Sequence, residues 1–232
     1  MKIILFSGIF ILPAVLLAIN FFDDFNSYTP GDDLANSAFW FKADSCGNLT
    51  VTSDGGNMIV ETVWNSYHFL AYACLGSAVI SDGEIEADMK FTGMETSCGL
   101  LSRINDSTGE SYIGGIYSAY PSIGITVIAY VDANGSYTTL VNDYYYPLNE
   151  NTWYTVSFEV SGNNPVELSV SVNGTENSTF QDSTYNLSAG LVGLGSAYNG
   201  AMPVFYIDNF TVTDYATALS ALTFAGIKAL FR

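Results

Sequence analysis

The chain has 232 residues, of which 6 are Lys or Arg and 23 are Asp or Glu, so its formal net charge is −17. Binding to nucleic acid or to an anionic membrane surface requires clustered cations, and this composition excludes such a surface. The strong acidic excess is typical of an extracellular domain that meets neutral ligands or divalent cations.

The first 18 residues, MKIILFSGIFILPAVLLA, contain one Lys, an apolar run and a small residue at the end. This pattern predicts a signal peptide over residues 1–18, and the run is too short to favour a membrane span. We therefore expect export, one domain over residues 19–215 and a separate apolar tail over residues 216–232. No internal repeat or linker divides the domain.

Short segments of alternating polar and apolar residues follow, separated by Gly, Asn, Asp and Ser. Such spacing is typical of an all-β sandwich or barrel. The segment NLTVTSDGGNMIVETVW predicts a hairpin around Asp-Gly-Gly, and Asn-Gly turns are expected in VDANGSYTTL and VSVNGTENSTF. In VELSVSV the apolar residues occupy alternate positions, which predicts one buried and one exposed face.

The last predicted strand changes phase. Phe205 and Ile207 are apolar at odd positions, and Phe210 and Val212 are apolar at even positions. One extra residue near Asp208, a β-bulge, would keep all four in the core. The tail beyond it has Leu residues at helical spacing, so we expect a short packing helix or a frayed end, with a membrane anchor as the alternative.

The 3 cysteines, Cys46, Cys74 and Cys98, allow at most one internal disulfide, and Cys98 can equally be a buried thiol. A single His and the lack of a Cys-x-x-Cys pair make a structural zinc site a poor hypothesis. The sequence has seven Asn-x-Ser/Thr triplets, which predict N-glycosylation unless they only reflect Asn-rich turns. These triplets begin at Asn48, Asn105, Asn134, Asn173, Asn177, Asn186 and Asn209.

The order of segments along the chain resembles the concanavalin A-like lectin/glucanase superfamily, and in particular its laminin-G-like and 3-keto-disaccharide-hydrolase-like modules. The segments are NFFDDFNS, GNLTV, DGEIEADMKF, GLLSRINDSTGESYIGGI, NTWYTVSFEVSGN, VNGT, SAGLVGLGS and FYIDNFTVTD. This resemblance implies a two-sheet antiparallel jelly roll in which glycans meet the concave face. Such modules bind carbohydrate, cleave it or serve as passive parts of surface proteins, so fold alone does not decide the function.

The resemblance also points to a candidate catalytic set. Laminarinases and lichenases of this superfamily carry Glu, an apolar residue, Asp and a second Glu on one strand. Glu84, Glu86 and Asp88 fall at those positions as nucleophile, helper and acid/base, although two residue types differ from the pattern. Alternate strand positions lie ~6.6 Å apart, which permits glycoside chemistry without requiring it. The alternative is a solvated strand face, which Lys90 continues.

Carbohydrate binding needs aromatic faces for sugar C–H groups and a few polar groups for hydroxyls. His68 is the only imidazole, and no Gly-x-Ser-x-Gly elbow accompanies it to suggest a hydrolase triad. The predicted ligand-binding residues are Trp64, His68, Arg103, Tyr112 and Tyr117. The alternative is that the aromatic residues among them belong to the core.

Calcium is the expected cofactor, because the resemblance implies a cation near the end of the final strand. Asp208 would be a ligand together with carbonyl groups of the bulge. Alternatively, Asp208 only hydrogen-bonds the bulge backbone.

Three hypotheses for function follow. The leading one is a secreted or cell-surface carbohydrate-binding module without catalysis, with a polysaccharide or glycan as partner. The second is an extracellular glycoside hydrolase that uses Glu84, Glu86 and Asp88. The third is a glycosylated structural subunit of a surface layer, filament or virion. The sequence does not decide the oligomeric state.

Overall fold

The computed structural model describes residues 20–42, 47–64, 71–93, 96–119, 122–198 and 204–215. The described chain is almost entirely strand, with one short 3₁₀ helix at Leu34–Asn36. The strands are β1 (Asn20–Asp23), β2 (Trp40–Lys42), β3 (Gly47–Asp54), β4 (Asn57–Trp64), β5 (Ala71–Ile80), β6 (Gly83–Phe91), β7 (Thr96–Ile104), β8 (Ser111–Ala119), β9 (Ile123–Val131), β10 (Tyr137–Pro147), β11 (Trp153–Ser161), β12 (Val166–Val172), β13 (Thr175–Asp182), β14 (Gly190–Tyr198) and β15 (Phe205–Asp214).

The strands form two antiparallel sheets that pack face to face. Sheet A has the order β13-β12-β11-β6-β15-β4-β3, and β1 pairs with the second half of β15. Sheet B has the order β10-β9-β8-β7-β14-β5-β2. The prediction of an all-β, two-sheet antiparallel jelly roll is therefore confirmed. In the described ranges, no helix has the length and apolar character needed to cross a membrane.

The predicted hairpins are present and have the expected turn chemistry. β3 and β4 pair from Gly47 with Trp64 to Asp54 with Asn57, and the turn between them is Gly55-Gly56, with φ values of 61° and 101°. Positive φ at both central positions costs glycine little, and it gives the turn the twist that a two-residue hairpin requires. The Asn-Gly turn between β12 and β13 follows the same rule.

The predicted bulge in β15 is confirmed. The pairing of β15 with β6 shifts between Asp208 and Thr211, and Asn209 has a φ of 52°. The shift returns Phe210 and Val212 to the core, where both are fully buried beside Phe205 and Ile207. The extra residue thus explains why the apolar positions of β15 change from odd to even numbers while all four side chains stay in the core.

The core lies between the sheets and is formed by alternate residues of each strand. In β12 the apolar residues are buried and the polar residues between them are exposed or partly exposed, as the alternation predicts. The Cys98 thiol is buried in this core and, in the described part of the chain, has no disulfide partner. Burial raises the pKa of the Cys98 thiol, so the thiol is chemically unreactive.

Several predictions concern residues that the structure does not describe. The signal peptide over residues 1–18 and the helical tail over residues 216–232 both lie outside the described ranges. Cys46 also lies outside them, as does the side chain of Cys74. These expectations stay predictions.

Candidate ligand-binding cleft

The outer face of sheet B contains a cleft with a volume of ≈ 250 Å³. It crosses four consecutive strands, from β7 to β10, on the side of the sheet that faces away from sheet A. The described residues that line it are Ser97, Cys98, Gly99, Ile113, Gly115, Ile116, Tyr117, Val127, Ala129, Val131, Tyr137, Thr139 and Asn142.

Two glycines on adjacent strands form the floor of the cleft. A Cβ atom on Gly99 would lie 2.6 Å from Cγ1 of Ile113, and one on Gly115 would lie 2.1 Å from the backbone oxygen of Cys98. A side chain at Gly115 would collide with the backbone of β7, and one at Gly99 would collide with the Ile113 side chain. The two glycines therefore leave open space at the floor of the cleft.

Two tyrosines and several small polar groups form the walls. Tyr117 is partly buried on β8, and Tyr137 at the start of β10 is 43% exposed. Thr139 and Asn142 on β10 add a hydroxyl and an amide. In the described part of the lining there is no carboxylate, no imidazole and no cation. The described lining offers aromatic rings and hydrogen-bonding groups to a ligand.

Two of the predicted ligand-binding residues, Arg103 and Tyr112, are buried and do not line the cleft. The Arg103 side chain has no exposed surface, and it lies at the end of β7 with a φ of 52°. Its guanidinium donates to the backbone oxygens of Ser81, Leu187 and Gly162, and it contacts Asp82 at 3.3 Å. Burial lowers the pKa of Arg103, and the Asp82 carboxylate opposes this effect. Arg103 holds together the loops at one end of the sandwich.

Tyr112 is buried at the same end of the sandwich, where it belongs to a second group of hydrogen bonds, centred on Asp182. Its hydroxyl donates to Asp182 and accepts a hydrogen bond from the Leu187 N–H at 3.1 Å. The Asp182 carboxylate also accepts from the backbone N–H groups of residues 184, 185 and 186. Burial alone would raise the pKa of Asp182, but the bonds from Tyr112 and the backbone outweigh it and lower the pKa. Sequence reasoning missed Asp182, although its position before Ser-Thr in a turn resembles an Asx motif.

Among the predicted ligand-binding residues whose side chains are described, only Tyr117 lines the cleft. The backbone of Trp64 ends β4, but its side chain and the whole of His68 lie outside the described residues. Tyr137, Thr139 and Asn142 were not predicted. An aromatic residue at the first position of an edge strand, directly after an Asn-Gly turn, was the available signal for Tyr137.

The three candidate catalytic residues project from the outer face of sheet A, on β6, and none of them lines the cleft. Asp88 accepts hydrogen bonds from Thr155 at 2.7 Å and from Asn209 at 2.8 Å. Glu84 accepts a long bond of 3.4 Å from the Tyr215 hydroxyl. Burial, followed by the charges of Glu84 and Asp88, raises the pKa of Glu86.

The same face continues as an acidic surface on β11. Glu159 lies directly opposite Glu84 across the pair of strands. Burial raises the pKa of Glu159, and the nearby charges of Glu84, Glu176 and Glu167 raise it further. Carboxylates that face each other on a sheet repel, so this face carries uncompensated negative charge at neutral pH.

Replacing Glu159 with Gln is expected to stabilise the fold at pH 7, by about 0.2 to 1 kcal/mol, because it removes a like-charge cross-strand pair that solvent partly screens. The pKa of Glu159 is higher in the folded state than in the unfolded state. The destabilisation caused by the charged carboxylate is therefore complete above the folded-state pKa and disappears as pH falls toward the unfolded-state value. Urea unfolding at pH 7 and pH 4 should therefore show a gain only at pH 7.

Glu110→Gln is the control, for which we expect a change in stability of the opposite sign. Its pKa is lowered by hydrogen bonds from the hydroxyls of Tyr130 and Thr108. Glu110→Gln should therefore reduce stability at pH 7 and lose this effect as pH falls through the folded-state pKa. If Glu159→Gln changes the free energy of unfolding equally at pH 7 and pH 4, repulsion between carboxylates is not the cause of the change.

Asp208, the predicted calcium ligand, is nearly buried at the bulge of β15. Its carboxylate accepts from the Asn209 N–H at 2.8 Å and from the Asn57 side chain at 3.4 Å. Burial raises its pKa, as do Asp88 and Asp24, while the two hydrogen bonds lower it. Within the described ranges, no group of three or more His, Cys, Asp or Glu residues could hold a metal ion. Asp208 therefore hydrogen-bonds the bulge backbone, and a calcium ion bound to it stays a prediction.

Comparison with known proteins identifies the fold. No family model and no curated protein matches the sequence. Carbohydrate binding module CBM66 from Bacillus subtilis is similar with 16% identity over 77% of this chain and 98% of that chain, at a TM-score of 0.56. A LamA variant from Zobellia galactanivorans, in complex with laminaritriose and laminaritetraose, is 13% identical over 84% of this chain and 98% of that chain, at a TM-score of 0.56. The Bacillus licheniformis β-glucanase is 16% identical over 84% and 97% of the two chains, at a TM-score of 0.51.

These similarities and the two antiparallel sheets define the class of protein as a concanavalin A-like jelly roll. The resemblance proposed from the order of sequence segments is therefore confirmed at the level of the fold. At such identities, the likeness extends to the fold alone.

Proposed function

We propose that this protein is an exported, carbohydrate-binding module without glycosidase activity, and that it binds an uncharged glycan in the cleft of sheet B. The signal-peptide pattern of residues 1–18 supports export to the cell exterior or surface. The jelly-roll fold is shared with a carbohydrate binding module and with glucanases, which supports a carbohydrate as the ligand.

The lining of the cleft carries this proposal. Tyr117 and Tyr137 supply aromatic rings beside an apolar floor, and Thr139 and Asn142 supply hydrogen-bonding groups. Sugar rings have apolar C–H faces and peripheral hydroxyls, which match these two kinds of group. A charged sugar would find no counter-charge among the described lining residues, so a neutral glycan fits better.

The absence of carboxylates from the described cleft favours binding over hydrolysis. Glycosidases need two carboxyl groups that flank the scissile bond. The carboxylates of Glu84, Glu86 and Asp88 lie on the outer face of sheet A, so a glycan in the cleft does not meet them. The raised pKa of Glu86 is the observation that favours the alternative of a glycosidase, because a general acid requires a raised pKa.

Glu86→Gln tests that alternative. We expect no release of reducing sugar from β-glucans by the wild-type protein or by the variant, and unchanged glycan binding by both, because Glu86 is remote from the cleft. The measurement is a reducing-end assay on laminarin, lichenan and other neutral polysaccharides. Hydrolysis by the wild-type protein that Glu86→Gln removes would establish the glycosidase function instead.

The binding proposal itself is tested with a glycan array probed by the wild-type protein, followed by calorimetry on the positive glycans. Parallel arms with Ca²⁺ and with EDTA test the predicted cofactor. We expect binding to neutral oligosaccharides and no preference for sulfated or uronic acid glycans. No binding above background in either arm would contradict the proposal and leave the structural-subunit hypothesis as the stronger one.

A further inference from the structure

The asparagines of the Asn-x-Ser/Thr triplets occupy two different structural environments. Asn105, Asn134 and Asn173 are exposed and lie in the connections that join β7 to β8, β9 to β10 and β12 to β13. Asn177 and Asn186 are partly buried, and Asn209, on β15, is exposed but hydrogen-bonded to a neighbouring strand. The side chain of Asn48 lies outside the described residues.

In the three exposed connections, the side-chain nitrogen Nδ2 makes no hydrogen bond to any residue that the structure describes. Oδ1 of Asn105 accepts hydrogen bonds from the Ser107 N–H at 3.0 Å and the Ser107 hydroxyl at 2.7 Å. Oδ1 of Asn173 accepts from the Thr155 N–H at 3.0 Å. The Asn134 side chain makes no hydrogen bond within the described ranges. A substituent on Nδ2 therefore leaves every one of these contacts intact.

The other three side chains are held differently. The Oδ1 atoms of Asn177 and Asn186 are buried and have no hydrogen-bond partner among the described residues. Nδ2 of Asn209 donates to Asp88 at 2.8 Å, across the pair of strands β15 and β6. A glycan on Asn177 or Asn186 would crowd the atoms around the buried Oδ1, and one on Asn209 would compete with the hydrogen bond to Asp88.

We propose that the exported, folded protein carries N-linked glycans on Asn105, Asn134 and Asn173, and not on Asn177, Asn186 or Asn209. The co-reactant is an oligosaccharide linked to a polyprenyl diphosphate, supplied by a host transferase. Nδ2 forms a bond to the anomeric carbon, the bond from that carbon to the diphosphate breaks, and one amide proton is released. Chains modified at Asn177, Asn186 or Asn209 are less stable, so they are depleted from the secreted, folded protein.

The positions of the three sites define what the glycans cover. Ser111 pairs with Val131, so the connections that contain Asn105 and Asn134 lie side by side at one end of sheet B. Asn173 lies at a turn of sheet A. None of the three lines the cleft. The glycans would shield ends of the sandwich from self-association and leave the cleft open.

The test is expression of the full chain, with an added N-terminal tag that contains its own Asn-Gly-Thr triplet, in a secreting eukaryotic host. Glycosidase release in ¹⁸O water, followed by peptide mass spectrometry, marks every occupied asparagine. We expect label at the tag and at the three exposed sites. Asn105→Gln, Asn134→Gln and Asn173→Gln should each remove one glycan mass, and Ser107→Ala should remove the glycan at Asn105.

Asn163→Gln is the control, because Asn163 is exposed but begins no triplet. It should leave the glycan mass unchanged. An occupied tag with unmodified Asn105, Asn134 and Asn173 would overturn the proposal. Secreted, folded protein with comparable occupancy at Asn177, Asn186 or Asn209 would also overturn it. Neither outcome depends on whether the cleft binds carbohydrate.

Discussion

Replacing Arg103 with Met is expected to lower the free energy of unfolding by about 3 to 5 kcal/mol, because hydrogen bonds to a charged group contribute roughly 1.5 to 3 kcal/mol each and the buried guanidinium makes several of them. The substitution leaves the backbone oxygens of Ser81, Leu187 and Gly162 without their donor, together with the Asp82 carboxylate. Buried acceptors that lose their partner are costly because water cannot replace it. Equilibrium unfolding in urea, monitored by circular dichroism, measures this loss.

Two further variants show how the effect arises. Arg103→Lys keeps the positive charge, but its single ammonium nitrogen cannot donate to all the acceptors that the planar guanidinium contacts at once. We therefore expect most of the loss of unfolding free energy to persist in this variant. Asp82→Asn removes a single long contact of 3.3 Å and weakens the bond from the Gly162 N–H, so its cost should be smaller. A loss below about 1 kcal/mol for Arg103→Met would contradict the structural role, since typical single hydrogen bonds already contribute that much.

Replacing Tyr117 or Tyr137 with Ala is expected to weaken glycan binding by about tenfold or more for each residue, because removal of an aromatic contact at the centre of an interface costs at least about 1 to 2 kcal/mol. Both residues line the cleft. This prediction depends on the proposed function. Calorimetric titration with a glycan chosen from the array measures the change in Kd.

Tyr145 provides a matched control on the same strand as Tyr137. It is 62% exposed and does not line the cleft, so Tyr145→Ala should leave the Kd unchanged. Tyr117→Phe separates the contribution of the ring from that of the hydroxyl and should retain most of the affinity. If Tyr117→Ala and Tyr137→Ala bind like the wild-type protein while both stay folded, the glycan binds elsewhere and the cleft is not the site.

Local features of the chain were predictable from the sequence because they depend on near neighbours. The alternation in β12, the Gly55-Gly56 turn and the phase change at Asp208 all follow from side-chain periodicity and backbone conformation. The order of these segments was sufficient to predict the fold class. One predicted site residue, Tyr117, lies in the cleft.

The remaining site residues depended on the tertiary structure. Alternation assigns Glu84, Glu86 and Asp88 to one face of a strand, but the pairing of β6 with β11 and β15 decides that this face belongs to the sheet opposite the cleft. Arg103 and Tyr112 have the chemistry of ligand-binding residues, yet their hydrogen-bond partners come from loops distant in the sequence. A residue's chemical type is encoded locally, whereas its exposure and partners are set by long-range strand pairing. The sequence by itself thus determined the strands, turns and bulge of this jelly roll, and only the packing of its two sheets decided which polar and aromatic groups face a ligand.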